Sequence, residues 1–308
     1  MKIVVTLGGN ALLRRGEPMT EQNQRSQVML AAQALADIAR QHHLILSHGN
    51  GPQVGLLSLQ NEAFEHEVPP YPLDNLGAQS QAMIGYLFVQ AMKSVLPDKC
   101  VVSLLTQSEV DPQDPAFQNP TKFIGPIYEE DQAKTLERTK GWCMKLDGQH
   151  WRRVVASPRP KRIIEWPAIE ALVNAGVLVI AAGGGGVPVI ATPTGLQGLE
   201  AVIDKDFAGA LLAQTIHADK LMIATDVDGV YVDWGTPDAR RITRVHPEVL
   251  GTMGFAAGSM GPKVEAAIRF AQSGGEAIIG PLTELRAMLE HRAGTLVSQH
   301  VEGIEYAQ

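Results

Sequence analysis

Short runs rich in Ile, Val and Leu alternate along this chain with amphipathic stretches of helical length, and few folds accommodate that rhythm. Strands are expected at Ile3–Leu7, His43–Ser47, Cys100–Leu105, Val177–Ala182, Lys220–Thr225, Glu276–Ile279 and Thr295–Ser298. Helices are expected at Thr20–Gln41, Pro52–Phe64, Asn75–Leu96, Glu165–Ala175, Asp206–His217, Pro262–Ser273 and Thr283–Glu290. Such alternation implies an α/β fold with a largely parallel sheet, covered on both faces by its crossover helices. In sheets of this kind ligands gather at the carboxyl ends of the strands. Function is therefore sought in the turns that directly follow strands.

The segment from about residue 111 to 155 breaks the rhythm. It carries Pro112, Pro115, Pro120 and Pro126, then an expected hairpin of Trp142–Leu146 and His150–Val154 around Asp147-Gly148-Gln149. It reads as a small excursion from the sheet, equally open to being a lid over a site or a structural flap. Length and charge bound the class further. With 308 residues there is room for one large domain or two lobes, and for a core that needs no staples. A net charge of −7 speaks against nucleic acid as the main partner but leaves room for a local anion site. Cys100 and Cys143 form no C-x-x-C pair, and the nine histidines show no metal-ligand spacing, so a reducing, cytoplasmic setting is expected. The opening apolar run is too short for a secretion signal, and no stretch of about 20 apolar residues offers a membrane span.

Three glycine-rich turns follow expected strands: Gly8-Gly9-Asn10-Ala11, His48-Gly49-Asn50-Gly51-Pro52 and Gly183-Gly184-Gly185-Gly186-Val187-Pro188. Glycine lets successive backbone N–H groups point the same way, and at a helix N-terminus those groups bind phosphate or carboxylate. One such turn is best read as a tight connection. Three of them favour a composite anion site. No G-x-x-x-x-G-K-S/T pattern is present, and Gly49, Gly51 and Gly55 depart from the dinucleotide spacing, so a nicotinamide enzyme is a weaker alternative.

Charged residues sharpen that reading. Lys205 stands just before an expected helix and Lys263 in an expected first turn, where a cation opposes the helix dipole by about 0.3–1 kcal/mol. A bound polyanion reverses that penalty. Asp226 and Asp228 follow the strand that ends near Ala224, either as a polar turn or as a loop facing a nucleotide. His48 beside the second turn is open to two roles, substrate contact or a structural hydrogen bond.

The stretches LGGNALLRRGE (7–17), HGNGPQVGLL (48–57), YPLDNLGAQSQAMIGY (71–86), NPTKFIGPIY (119–128), WRRVVASPRP (151–160), AAGGGGVPV (181–189), VIDKD (202–206) and GSMGPKVEAA (258–267) occur in that order over nearly the whole chain. Together they resemble the carbamate kinases, a branch of the amino-acid kinase superfamily. The resemblance implies an αβα sandwich with a mainly parallel open sheet and a small protruding subdomain at about 111–155. It implies a lobe at 1–195 for carbamate and the phosphoryl group, a lobe at 196–308 for the nucleotide, and a homodimer. The implied reaction moves a phosphoryl group between ATP/ADP and carbamate/carbamoyl phosphate with Mg²⁺, and makes ATP in the physiological direction.

Residue by residue, the resemblance assigns Gly8, Gly9, Asn10, Gly49, Asn50 and Gly51 to the turns holding carbamate and the phosphoryl group. It assigns Lys205 and Lys263 to the phosphates, Asp206 to positioning those lysines, and Lys122 to a lysine brought in by the protruding subdomain. Gly184 and Gly185 fall in the phosphate-side loop, and Thr225, Asp226, Tyr231 and Met260 on the adenine and ribose side. Phe123, Asn75, Gln79 and Ala82 depart from the family pattern, which keeps open another small carboxylate as acceptor. A non-catalytic nucleotide-binding regulator on the same fold is the other alternative, and the joint presence of Lys205, Asp206 and Lys263 speaks against it.

Overall fold

The computed structural model describes residues 1–9, 12–13, 17–255 and 260–307. Its organisation can be read from the strand Lys2–Leu7. Ile3, Val5 and Leu7 belong to one hydrophobic core and Val4 to another, because successive strand residues face opposite sides. An unbroken apolar run needs cover on both faces, and helices supply it. Glu21–Gln41, Leu73–Val95 and Leu285–Leu289 build the first core, while Trp166–Asn174, Lys205–Thr215 and Met260–Gln272 build the second.

Lys2–Leu7 pairs in parallel with Lys220–Thr225 on one side and His43–His48 on the other. The sheet continues in parallel through Leu178–Ile180 to Val101–Ser103, and in the other direction to Glu276–Pro281. It turns antiparallel at Thr295–Val297. Arg240–Val245 lies beside that strand and carries Val230–Val232 and Ile304–Tyr306 antiparallel to itself. The result is a ten-stranded sheet with a parallel centre and a mixed edge, the αβα arrangement expected from the alternation. Strands that precede residue 181 lie on one side of Lys2–Leu7 and those from residue 220 onwards on the other. No helix among the described residues is long and apolar enough to cross a membrane.

Helix ends follow local chemistry to within a residue or two. Thr20 caps Glu21–Gln41 by accepting the N–H of Asn23 at 3.2 Å. The helix expected from Asp206 begins one residue earlier, at Lys205, because Asp204 is its cap and accepts the N–H of Asp206 at 2.9 Å.

The excursion holds more structure than a hairpin. Its three-stranded sheet runs Lys122–Tyr128, His150–Val155, Cys143–Asp147, and the helix Glu130–Lys140 joins the first strand to the hairpin. That helix buries only Ala133, so it has no apolar stripe to reveal it. A capping box between Glu129 and Gln132 and the left-handed Gly141 at its end hold it instead. A further four-stranded sheet, Gly195–Gly198, Val187–Thr192, Gln107–Val110, Pro160–Ile163, also goes beyond the strands expected from sequence. Its strands are short and only partly apolar, and apart from the hairpin of Val187–Thr192 with Gly195–Gly198 their pairing is long-range.

The subdomain docks on the helix Gly51–Ala63. Arg153 donates to Ser58 Oγ at 2.9 Å, and Lys140 pairs with Glu62 at 2.7 Å. Between these contacts two backbones touch. A Cβ added at Gly55 would lie 2.1 Å from both N and Cα of Gly125, so this approach admits only glycine at residue 55.

Candidate active site

The carboxyl ends of Lys2–Leu7, His43–His48 and Leu178–Ile180 bring the three glycine-rich turns together. A Cβ on Gly49 would sit 3.4 Å from the Lys205 side chain and 3.8 Å from Gly9 N, so the first two turns and this lysine share one space. Gly184 packs directly on Asn50, where an added Cβ would fall 2.2 Å from the amide nitrogen. Its φ of +62° is a second reason for glycine there. Asn50 does not cap the helix Gly51–Ala63 with its side chain; it donates to Ser80 Oγ at 2.8 Å. The helix end is thus left to a ligand, an arrangement suited to an anion.

Buried hydroxyls fix the third turn, and sequence reading missed all of them. Ser47 donates to Ala182 O at 3.0 Å, Thr106 Oγ1 accepts from Ala182 N at 3.0 Å, and Ser108 donates to Gly185 O at 2.7 Å. Single hydroxyls in or beside strands carry no periodic signal, so only the tertiary structure shows their targets.

Two helix N-termini supply the charge. Lys205 is the first residue of Lys205–Thr215, and Lys263 lies in the first turn of Met260–Gln272. Both ammonium groups meet one carboxylate: Lys205 Nζ pairs with Asp206 Oδ1, and Lys263 Nζ lies 3.2 Å from Asp206 Oδ2. Thr6 donates to Asp206 Oδ1 at 3.0 Å from the floor of the sheet. Burial alone would raise the Asp206 carboxyl, but the two lysines override it and hold the group well below the usual carboxylate range. For Lys205, burial wins and lowers the ammonium despite Asp206, with Lys263 adding repulsion. For Lys263, burial pulls down, yet Asp206 and Asp204 outweigh it and raise the group. The cluster is a buried, charged array.

Lys122 reaches this array from the protruding subdomain, and its Nζ lies 2.5 Å from Asp204 Oδ2. Asp204 was not singled out from sequence, although an aspartate directly before a helix is a capping signal. A cleft of about 780 Å³ opens beside this pair, between the subdomain and the N-terminal part of Met260–Gln272. Thr225 and Asp226 stand at the end of Lys220–Thr225 and share a 3.1 Å hydrogen bond. Asp226 is close enough to Lys263 to help raise it, and Met260 begins the helix that carries Lys263. Tyr231 lies in the strand Val230–Val232, donating to Asp228 at 2.9 Å and packing edge-on to Trp234. Asn10 lies outside the described residues.

His48 takes the structural role. Its Nδ1 is 3.0 Å from the Gly49 carbonyl oxygen, so that nitrogen carries the proton, and its ring stacks on Phe88. Burial pushes its pKa down to about 4; the Gly49 hydrogen bond opposes this and the Lys205 charge reinforces it. A neutral imidazole in this place shapes the turn without adding charge.

This combination sets glycine-rich turns at parallel strand ends beside two helix-borne lysines tied by one aspartate, a geometry suited to an anion. The Amino acid kinase family profile matches residues 1–280. A carbamate kinase of Haemophilus influenzae is 50% identical over 309 residues, covering 99% of this chain and 99% of its own. The chain belongs to the carbamate kinase branch of the amino acid kinase family. In three dimensions it is similar to a Giardia lamblia carbamate kinase bound to citric acid, with a TM-score of 0.91, 40% identity, and coverage of 96% of this chain and 98% of that one. The same Giardia lamblia enzyme bound to AMP-PNP gives a TM-score of 0.88 at 41% identity, covering 96% and 98%.

Proposed function

We propose that this protein catalyses reversible phosphoryl transfer, from carbamoyl phosphate to ADP to give carbamate and ATP, and back. The observation that carries this reading is the Lys205–Asp206–Lys263 array at two helix N-termini, opposite the Gly49 turn. Phosphoryl transfer needs positioning and charge stabilisation more than covalent help. Lys205 and Lys263 neutralise charge on the phosphoryl group in transit, and Asp206 holds both ammonium groups in register. The turns at Gly8, Gly9, Gly49 and Gly51 hold the acceptor and the transferring group, with Asn50 fixing the cradle from behind through Ser80. Carbamate is already an anionic nucleophile, so no general base is needed, consistent with a neutral His48. Carbamoyl phosphate is a reactive mixed anhydride, so the favourable direction makes ATP.

The nucleotide lies on the lobe formed by residues 196–308 and the acceptor on residues 1–195. Gly184 and Gly185 border the phosphates, and Thr225, Asp226, Tyr231 and Met260 border the adenosine. The AMP-PNP complex of the Giardia lamblia relative supports this nucleotide class. Mg²⁺ accompanies the nucleotide and offsets phosphate charge. An ion of this kind is carried mainly by phosphates and water and needs few protein ligands. Lys122 completes the site from the subdomain, which acts as a lid. A cytoplasmic homodimer is part of the proposal; the exposed apolar side chains of Leu30 and Tyr86, on the helices Glu21–Gln41 and Leu73–Val95, support a partner surface, and light scattering tests it.

The deciding experiment is ATP formation from ADP, Mg²⁺ and carbamoyl phosphate by the purified protein, with Lys205→Ala as background. ATP well above that background is expected. Folded protein that produces none would overturn the proposal, and turnover with a different acyl phosphate in the same assay would reassign the acceptor.

A further inference from the structure

Capping does not explain why residue 204 is an aspartate. A serine, threonine or asparagine accepts the N–H at the start of a helix as well as aspartate does. A second carboxylate beside Asp206 also works against a site that binds phosphates, because each added negative charge repels them. Asp204 nonetheless divides its two oxygens between two tasks. Oδ1 accepts the N–H of Asp206 at 2.9 Å, and Oδ2 accepts the Lys122 ammonium at 2.5 Å, across 82 residues of sequence. Its side chain is only 13% exposed, so water screens the pair weakly.

We infer that Asp204 is a positioning residue for the transfer step, anchoring the ammonium of Lys122 from the protruding subdomain beside the Lys205–Lys263 array. This rests on the phosphoryl-transfer reading above and deepens it. An ammonium has three N–H donors, so Lys122 keeps Asp204 as a partner while donating to a phosphoryl oxygen. Lysine is also a flexible point charge, and a fixed acceptor removes the wandering that would otherwise blunt its effect. Asp204 caps the helix that begins with Lys205 and Asp206, so one side chain sets the position of the lid cation relative to the cations on the sheet side. The three lysines are thereby organised by two neighbouring carboxylates: Asp206 holds two and Asp204 holds the third.

The test compares wild type, Lys122→Ala, Asp204→Asn and the double variant. Asparagine keeps the capping oxygen and removes the charge. Asp204→Ser, which also caps, repeats the measurement in a second background. Expected for Asp204→Asn is a kcat lower by roughly 10–100-fold, with KM for ADP unchanged or smaller, since removing a negative charge favours nucleotide binding. The double variant should be no slower than Lys122→Ala. Losses that multiply in the double variant, or an unchanged kcat in Asp204→Asn, would overturn the inference. Hydrogen exchange on the same proteins without substrates reads the anchor independently of turnover. Exchange in Lys122–Tyr128 should quicken in both single variants, while the strand Lys2–Leu7 stays protected. Unchanged exchange in Asp204→Asn would also overturn the inference. A wild type that makes no ATP would refute the function, and the exchange measurement would still decide the anchor.

Discussion

Gly55→Ala probes how the subdomain is held over the site. The added methyl would lie 2.1 Å from Gly125 N and Cα, whereas ordinary contact starts near 3.4 Å, so the two backbones must part by the difference, about 1.3 Å. Neither side can yield by rotating a side chain, since Gly55 is inside the helix Gly51–Ala63 and Gly125 inside the strand Lys122–Tyr128. Overpacking of this kind costs about 1–3 kcal/mol. Placed on the docking equilibrium of the subdomain, that is roughly a 5–150-fold shift towards the undocked form. Lys122 begins the same strand, and a lift of this size breaks a 2.5 Å contact with Asp204. The assay is steady-state ATP formation alongside thermal melting. The expected result is a kcat reduced about tenfold or more, KM for ADP within about twofold because the adenosine side is untouched, and a melting temperature only a few degrees lower. Gly77→Ala is the control: it sits in the helix Leu73–Val95 with nothing within 4 Å of the added carbon, and should leave rate unchanged and stability equal or higher. A Gly55→Ala enzyme with wild-type kcat would refute the idea that this backbone contact sets the position of Lys122.

Three further outcomes are expected. Lys205→Ala and Lys263→Ala should each lower kcat by about 10²–10³; if the lysines were merely solvated helix residues, melting would rise slightly and rate would not change. Stability should fall as pH drops from about 6.5 to about 4, because the unfolded chain takes up a proton that buried His48 refuses in the folded state. A shift of this size corresponds to about 3 kcal/mol, so denaturant unfolding at several pH values should give a visibly flatter profile for His48→Gln than for wild type. Gly184→Ala combines a left-handed backbone with a collision against Asn50, and loss of turnover together with weakened nucleotide binding is the result to look for in a titration; normal turnover would mean that the third turn is not held against the second.

Much of the architecture was legible in the chain because it is local. Ile3–Leu7 must be buried on both faces, a helix must begin at about Thr20, and Lys205 and Lys263 both fall at helix starts. Each of these follows from residues within a turn or two of one another, where periodicity and capping chemistry act. The helix Glu130–Lys140 escaped because its stability comes from caps rather than an apolar stripe. What only the tertiary structure decided is which distant groups meet. Asp206 joins Lys263 across 57 residues, Lys122 finds Asp204 across 82, and Ser108 reaches Gly185 across 77. The parallel centre of the sheet prepares these encounters: it brings the carboxyl ends of Lys2–Leu7, His43–His48, Leu178–Ile180 and Lys220–Thr225 to one edge, however far apart they lie in the chain. Side-chain identity sets what each turn can bind, but strand order sets which turns face one another, and no spacing within the sequence encodes that order.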